Sequence, residues 1–411
     1  MRFKMTKEEK NWVLYDVGNS AFVLLVSTIM PIYFNYLSEK AGLSSVDYLA
    51  FWGYAASIVT IIVAFLGPVL GTLADTKDYK KTLFTMMLLI GCIGCFLLGF
   101  IDYWFAFLIV FLIAKIGFSG SLIFYDSMLS DVTTPEHVDH VSSQGYAWGY
   151  IGSCVPFVVC LLLVLNAGKI GLSMEMSMMI SFAIIAFWWF GLTLPLLKTY
   201  QQKYYVERKP HAIQNSFKRL FETIKNVRKE KKIFLFLLAF FFYIDGVYTI
   251  IDMATAYGTA LGFESTGLLL ALLLTQVVAF PFAILFGRLS SKYEAAKLIR
   301  ACILAYLGIS IFAIFLTKQW QFWVLAVLVG MFQGGIQSLS RSYFTKIIPL
   351  EKSGEYFGLM DVCGKGASFL GTTVVGVLSQ TTGQINLSLG ALSVFFMLGI
   401  VFFRMSEKRE G

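Results

Sequence analysis

The chain has 411 residues, of which 57% are hydrophobic, 16% aromatic and only 14% charged, with a mean hydropathy of +0.73. Soluble domains carry about 25% charged residues, so this composition excludes a soluble enzyme and describes a membrane protein. At about 20 residues per bilayer span plus a connection, the length admits on the order of a dozen helices and no sizeable soluble domain, and the net charge of +8 reads as topology, not as a nucleic-acid surface.

The charged start, Met1 to Lys10, leads into an apolar stretch containing Asp16 without a small-residue cleavage site, which predicts a retained first span and not a signal peptide. Apolar runs between polar breaks predict spans near 11–37, 48–73, 81–101, 103–131, 141–166 and 173–197. A second series is predicted near 233–258, 265–289, 297–316, 320–347, 355–380 and 384–403. The expected fold is an all-α membrane protein of twelve transmembrane helices in two six-helix bundles, 1–197 and 233–411. Between them, 198–232 holds eleven basic residues against three acidic ones and reads as a cytoplasmic linker, partly an amphipathic helix on the membrane surface.

With the amino terminus inside, and Arg300 and Arg341 counted as inner-end residues of their spans, 28 of the 33 Lys and Arg fall to the two tails and the even-numbered connections; only Lys40, Lys169 and Lys318 fall to the outer ones, and Lys115 and Lys365 lie within spans. This asymmetry predicts both termini in the cytoplasm of a multi-pass protein, in the cell (inner) membrane if the source is bacterial. One inner loop, 131–140, has no Lys or Arg and requires a local explanation. An internal repeat is visible: Gly71-Thr-Leu-Ala-Asp75 through Lys81 and Gly287-Arg-Leu-Ser-Ser291 through Lys297 each follow the second span of their half. All six cysteines lie in apolar runs, so Cys92-Ile-Gly-Cys95 is read as packing. His137 and His140 are not expected to hold a metal, and no nucleotide-binding motif or cofactor signature is present.

Charge inside hydrocarbon is costly, so its placement is informative. Spans 3, 6, 9 and 12 have none away from their ends and are expected to face lipid. On span 7, Asp245 and Asp252 are seven residues apart on one stripe, with Tyr248 and Thr249 between them. They are candidates to carry a proton; the competing reading is that each pairs with a neighbouring helix. On span 4, Lys115 and Asp126 are three turns apart on one face, suited to an anionic substrate group or to structural pairing. Asp361 and Lys365 have the i,i+4 spacing of an intrahelical ion pair, a structural or gating element. Asp16 and Asn19 on span 1, and Gln333, Gln337 and Arg341 on span 10, are candidate cavity walls, with interhelical hydrogen bonding as the alternative.

The stretch Gly71-x-Leu-Ala-Asp75, its weaker copy at Gly287 and the six-plus-six plan resemble the major facilitator superfamily. Four further stretches resemble its vacuole-effluxer branch, which joins autophagy-linked amino-acid effluxers of fungal vacuoles to bacterial relatives: Leu14-Tyr-Asp-Val-Gly-Asn-Ser-Ala21, Phe124-Tyr-Asp-Ser-Met-Leu, Val141 to Gly152, and Gln337-Ser-Leu-Ser-Arg-Ser-Tyr-Phe344 continuing to Gly364-Lys365. The resemblance implies alternating access, with Gly71 and Asp75 in the inner gate and a monomer as the working unit. The chain departs from the gate motif at Thr76, where a basic residue is usual, at Asp78 in place of Gly, and at Ser291 in the second copy.

The function expected is secondary active transport of a small polar solute, amino acids by the resemblance, with proton-coupled efflux. A multidrug or lipophilic-compound exporter is the alternative, for which the 39 Phe and 20 Tyr would line an apolar pocket. A non-transporting sensor or scaffold using the basic linker is the alternative of another class.

Overall fold

The computed structural model describes residues 4–207, 212–383 and 385–408. Arg208 and Lys209 of the basic linker, and the first and last three residues, lie outside the described residues. Among those described, twelve helices are long and apolar enough to cross a bilayer. They are α1 (Lys7–Lys40), α2 (Ser45–Ala74), α3 (Tyr79–Leu98), α4 (Trp104–Ser127), α5 (Val138–Leu165), α6 (Met174–Thr199), α7 (Lys231–Ala260), α8 (Ser265–Leu289), α9 (Ala295–Ile314), α10 (Gln319–Ile347), α11 (Ser353–Thr382) and α12 (Leu387–Glu407). A linker helix, Ala212–Val227, stands between α6 and α7 and packs against α2.

Local chemistry sets the boundaries. Thr6 opens α1 with a reciprocal cap, its hydroxyl accepting the Glu9 N–H and its own N–H donating to the Glu9 carboxylate. Within α1, a π-helical turn at Leu25–Ile29 precedes Pro31, whose ring nitrogen has no hydrogen to donate back to the preceding turn. The fourth span was expected to run to 131, but α4 stops at Ser127. There the Ser127 and Ser130 hydroxyls donate to the carbonyls of Phe124 and Ser127, and a separate turn, Leu129–Val132, follows.

The first six helices enclose one apolar core, built on residues such as Trp12, Phe22, Phe118 and Trp189. The last six enclose another, built on Phe236, Tyr243, Tyr306 and Phe403. Helices α3, α6, α9 and α12 make their main contacts inside their own bundle, as expected of lipid-facing spans. The bundles meet through α2 on α11 and α5 on α8 and α10.

This meeting is tightest at the end that carries both termini and the linker, the terminal end. A Cβ on Gly71 of α2 would lie 2.1 Å from the Gly354 carbonyl oxygen of α11, and one on Gly358 2.8 Å from that of Gly67, so the two backbones are in direct contact. The second copy of the repeat also makes a close approach, on the opposite side, there of a glycine to a side chain. A Cβ on Gly287 of α8 would lie 2.7 Å from the Ser143 Cβ of α5.

Replacing Gly71 by Val should therefore wedge the terminal end open. A Ser338→Cys reporter, placed where Ser338 is buried between the bundles, should label faster with a water-soluble maleimide in Gly71→Val than in the parent, with native cysteines replaced in both.

Candidate functional site

Asp75 follows the last residue of α2, and both its carboxylate oxygens accept backbone N–H groups from the first turn of α11, Gly354 at 2.7 Å and Glu355 at 2.9 Å. The first amides of a helix have no partners of their own and carry partial positive charge, so an anion belongs there. Burial pushes the Asp75 carboxyl up, to about 7, while Lys80 and the Glu355 and Gly354 amides pull it the other way.

The basic residue missing at Thr76 is supplied one turn later by Lys80. Its ammonium, wholly buried, pairs with Asp131 at 3.2 Å and donates across the interface to the Ser353 hydroxyl at 2.9 Å. Asp131 is the explanation for the loop without Lys or Arg. It also accepts the Tyr200 hydroxyl at 2.6 Å and the backbone N–H groups of Lys203 and Tyr204, both at 3.0 Å. The start of the linker is thereby fixed to the gate, and Val206 completes the attachment by donating to the Asp75 carbonyl and accepting the Lys77 N–H.

Deeper between the bundles, Arg341 of α10 reaches into the first bundle. Its guanidinium meets Asp126 of α4 at 2.9 Å and Asp16 of α1 at 3.5 Å, and donates to the Ser142 hydroxyl and carbonyl of α5, each at 3.0 Å. Its faces lie over the rings of Tyr146, at 4.4 Å, and Trp12, at 4.7 Å. Asp16 also accepts the Tyr125 hydroxyl at 2.8 Å, and the Asn19 amide contacts it at 3.5 Å. Gly145 must lack a side chain: a Cβ there would lie 2.6 Å from the Asp16 carboxylate and 3.1 Å from Arg341.

Above this floor, on the side away from the terminal end, the other charged residues gather. Tyr248 lies within electrostatic reach of Asp126, Asp361, Asp252 and Arg341. Lys115 lies within reach of Asp252 and Lys365 across the interface, its ammonium 4.9 Å from the Phe118 ring centre. Asp361 and Lys365 form the ion pair their spacing predicts. Asp126 keeps 29% of its side chain exposed, so this edge of the floor is open to solvent.

The two carboxylates of α7 part here, Asp252 standing with this group of charges and Asp245 not. Asp245 is buried inside the second bundle, where it accepts the Thr249 hydroxyl and the Gly371 N–H of α11, and Asp252 is exposed. Gln337 is half-buried and Gln333 buried on the same side of α10 as Arg341. Trp12, Tyr125, Ser142, Gly145 and Tyr146 complete the Arg341 site without having been singled out from the sequence. They lie in or beside the stretches that carry the resemblance, which was the available signal.

Two six-helix bundles that meet around buried charge are the architecture of a major facilitator superfamily transporter, a membrane carrier and not an enzyme. The model of the vacuole effluxer Atg22-like family matches residues 4–137 and 130–411, and the chain belongs to that family. It is 41% identical to the MFS-type transporter YxiO of Bacillus subtilis (strain 168), over 98% of this chain and 95% of that protein. Autophagy-related protein 22-1 of Aspergillus fumigatus is 26% identical over 66% of this chain but 48% of its own length, so the match spans about half of the fungal protein. In fold the chain is similar to the transporter FucP in its outward conformation, with a TM-score of 0.73 and 15% identity over 96% of this chain and 97% of that one. It is similarly close to a bacterial homologue of the iron transporter ferroportin in an outward-facing state, with a TM-score of 0.71 and 14% identity over 98% and 99%.

Asp131→Ala leaves the Lys80 ammonium buried and unpaired and should cost about 3–5 kcal/mol, measured by thermal unfolding in detergent; adding Lys80→Met should restore part of the loss. In a conformer open at the terminal end Asp75 is hydrated and returns to the ordinary carboxylate range, so closing takes up a proton. Its contribution to the closed end is therefore full in acid and is lost as pH rises through about 7. Labelling of the Ser338→Cys reporter, normalised at each pH to a fully exposed cysteine, should rise between about pH 5 and about pH 8, and Asp75→Asn, which does not titrate, should raise it in acid, where the contribution of Asp75 is full, and flatten the profile.

Proposed function

We propose that this transporter exports a small zwitterionic solute of the amino-acid class in exchange for protons, working as a monomer with both termini in the cytoplasm. The terminal end is then the inner gate, closed in an outward-facing carrier. The orientation rests on the basic residues, 28 of 33 on the terminal side.

The observation that carries the reading is the placement of Arg341. A guanidinium does not give up its proton, so its burial between the bundles depends on ionised Asp16 and Asp126. A proton arriving from outside on the partly exposed Asp126 weakens the contact that holds α10 against α4. The bundles then part at the inner end, the proton leaves inward, and solute enters from the cytoplasm. Asp126, Asp252 and Asp361 offer sites for an ammonium, and Lys115 and Lys365 for a carboxylate. Return to the outward-facing state re-forms the Arg341 contacts and delivers the solute outside. We assign the coupling carboxylate to Asp126 and not to Asp245, which is enclosed within its own bundle. A pocket for lipophilic compounds would need apolar walls where these charges stand.

In liposomes containing only this protein, a pH gradient should drive labelled amino-acid flux. Asp126→Asn should lower driven flux about tenfold or more, the size expected for loss of a charge-assisted hydrogen bond, while leaving solute exchange without a gradient. Gradient-driven flux unchanged in Asp126→Asn would remove the coupling role, and no amino-acid flux in the parent would remove the substrate class.

A further inference from the structure

The linker helix, Ala212–Val227, has two unlike faces. Leu220, Thr223 and Val227 are buried, three and four residues apart, whereas Lys218, Phe221, Glu222 and Lys225 repeat at the same spacing on the opposite side and are exposed. Arg228 and Lys229, just past the helix, are exposed too. Phe221 is 71% exposed although it lies outside every span, where a bare ring meets water and not hydrocarbon. Cations in the last turn suit the negative end of a helix. That accounts neither for Lys218, about two turns before Lys225, nor for the ring.

The buried face ties the helix to both bundles. It packs on α2 of the first, while Val227 joins the apolar core of the second with Ile233 and Phe236 of α7. The attachments on either side repeat this. Ahead of the helix, the Gln202 amide donates to the Ala74 carbonyl at 3.0 Å, and Lys203 and Tyr204 donate to Asp131. Beyond it, Glu230 accepts the hydroxyl of Tyr356, in the first turn of α11, at 3.2 Å. The linker thus bridges the α2–α11 contact that closes the terminal end. Lys231, soon after the helix, already begins a span, so the helix ends beside the headgroup layer of the leaflet on that side.

We propose that Lys218, Phe221 and Lys225 form a docking surface for anionic phospholipid of that leaflet, and that docking holds the terminal end closed. The ring enters the acyl boundary while the lysine stems lie along it and their ammonium groups meet phosphate. Glu222 is the one carboxylate among these exposed residues, against Lys218, Lys225, Arg228 and Lys229, so the patch stays positive. A single ring among cations complements a surface that is negative outside and apolar beneath, and it offers no apolar centre of the kind a stable protein partner needs. The helix keeps this seat on both bundles only while α2 and α11 are together. Lipid that prefers the seated helix must therefore, by reciprocity, favour closure.

The test uses the full chain with native cysteines replaced, in nanodiscs of phosphatidylcholine with or without phosphatidylglycerol. A fluorophore on Phe221→Cys should be quenched by spin-labelled lipid, and more strongly with phosphatidylglycerol. Lys218→Gln with Lys225→Gln should shift docking about thirtyfold towards the free helix, the weight of two cations beside an anionic surface, and leave the melting temperature in detergent unchanged. With Phe221 intact, phosphatidylglycerol should also slow labelling of the Ser338→Cys reporter, normalised to a fully exposed cysteine, severalfold more in the parent than in the double variant. An anionic bilayer lowers the surface pH equally for both, so the difference between them reports docking. A fluorophore that stays in water in every bilayer would give the face to a soluble partner and overturns lipid docking, as does a phosphatidylglycerol effect on quenching that survives both Gln substitutions. Docking with equal labelling of Ser338→Cys in parent and double variant removes the hold on the terminal end.

Discussion

A guanidinium buried between two helical bundles must be answered by carboxylates, because it cannot shed its charge to suit an apolar setting. Arg341 meets that requirement with Asp16 and Asp126 from the opposite bundle, and much of the surrounding sequence follows from it. Tyr125 donates to Asp16 and stacks on Trp12 at 4.3 Å, and the Trp12 indole nitrogen donates to the Tyr125 carbonyl. Gly145 supplies the space through which Asp16 and Arg341 approach, and Tyr146 covers the far face of the cation. A contact this dependent on ionisation is also one that protonation can release, which links the packing of the floor to its proposed role.

The terminal end is closed by different chemistry on its two sides. Where α2 meets α11, glycine backbones touch and Asp75 sits on the first amides of α11, with the Lys80–Asp131 pair behind it. Where α5 meets α8 and α10, Ser291 stands in place of an acid. Closure there rests on Gly287 against Ser143, on the Ser142 hydroxyl donating to the Ser338 carbonyl at 2.7 Å, and on Lys346 with Asp139. The repeat thus preserves the close glycine contact in both halves but the anion-on-helix contact in only one. Asp131 adds the linker to the stronger side, so that 200–206 cannot leave without disturbing the partner of Lys80.

Within single helices the sequence was readable. A span of about 20 apolar residues has one stable form in lipid, and the twelve were located to within a few residues except where serine hydroxyls ended α4 early. The i,i+4 spacing of Asp361 and Lys365 became the ion pair it implied, and Asp16 with Asn19, three residues apart, share a face. These relations follow from the 3.6-residue turn alone. The i,i+7 spacing of Asp245 and Asp252 placed them on one stripe with equal accuracy, yet one ended inside its bundle and the other exposed, because helical phase does not say what lies beyond each turn.

What the sequence by itself determined is the membrane class, the twelve helices, the two-fold repeat, the basic linker and the set of intramembrane charges that needed partners. What only the tertiary structure decided is the pairing. Arg341 is 325 residues from Asp16 and 215 from Asp126, and Lys80 found Asp131 in the loop that lacked any cation of its own. Those choices depend on how each helix is rotated and how closely its neighbours approach, which glycines such as Gly71, Gly145 and Gly354 permit. Hydrophobic pattern fixes where a helix lies along the bilayer normal, whereas contacts between bundles depend on side-chain shape at an interface that no periodicity encodes.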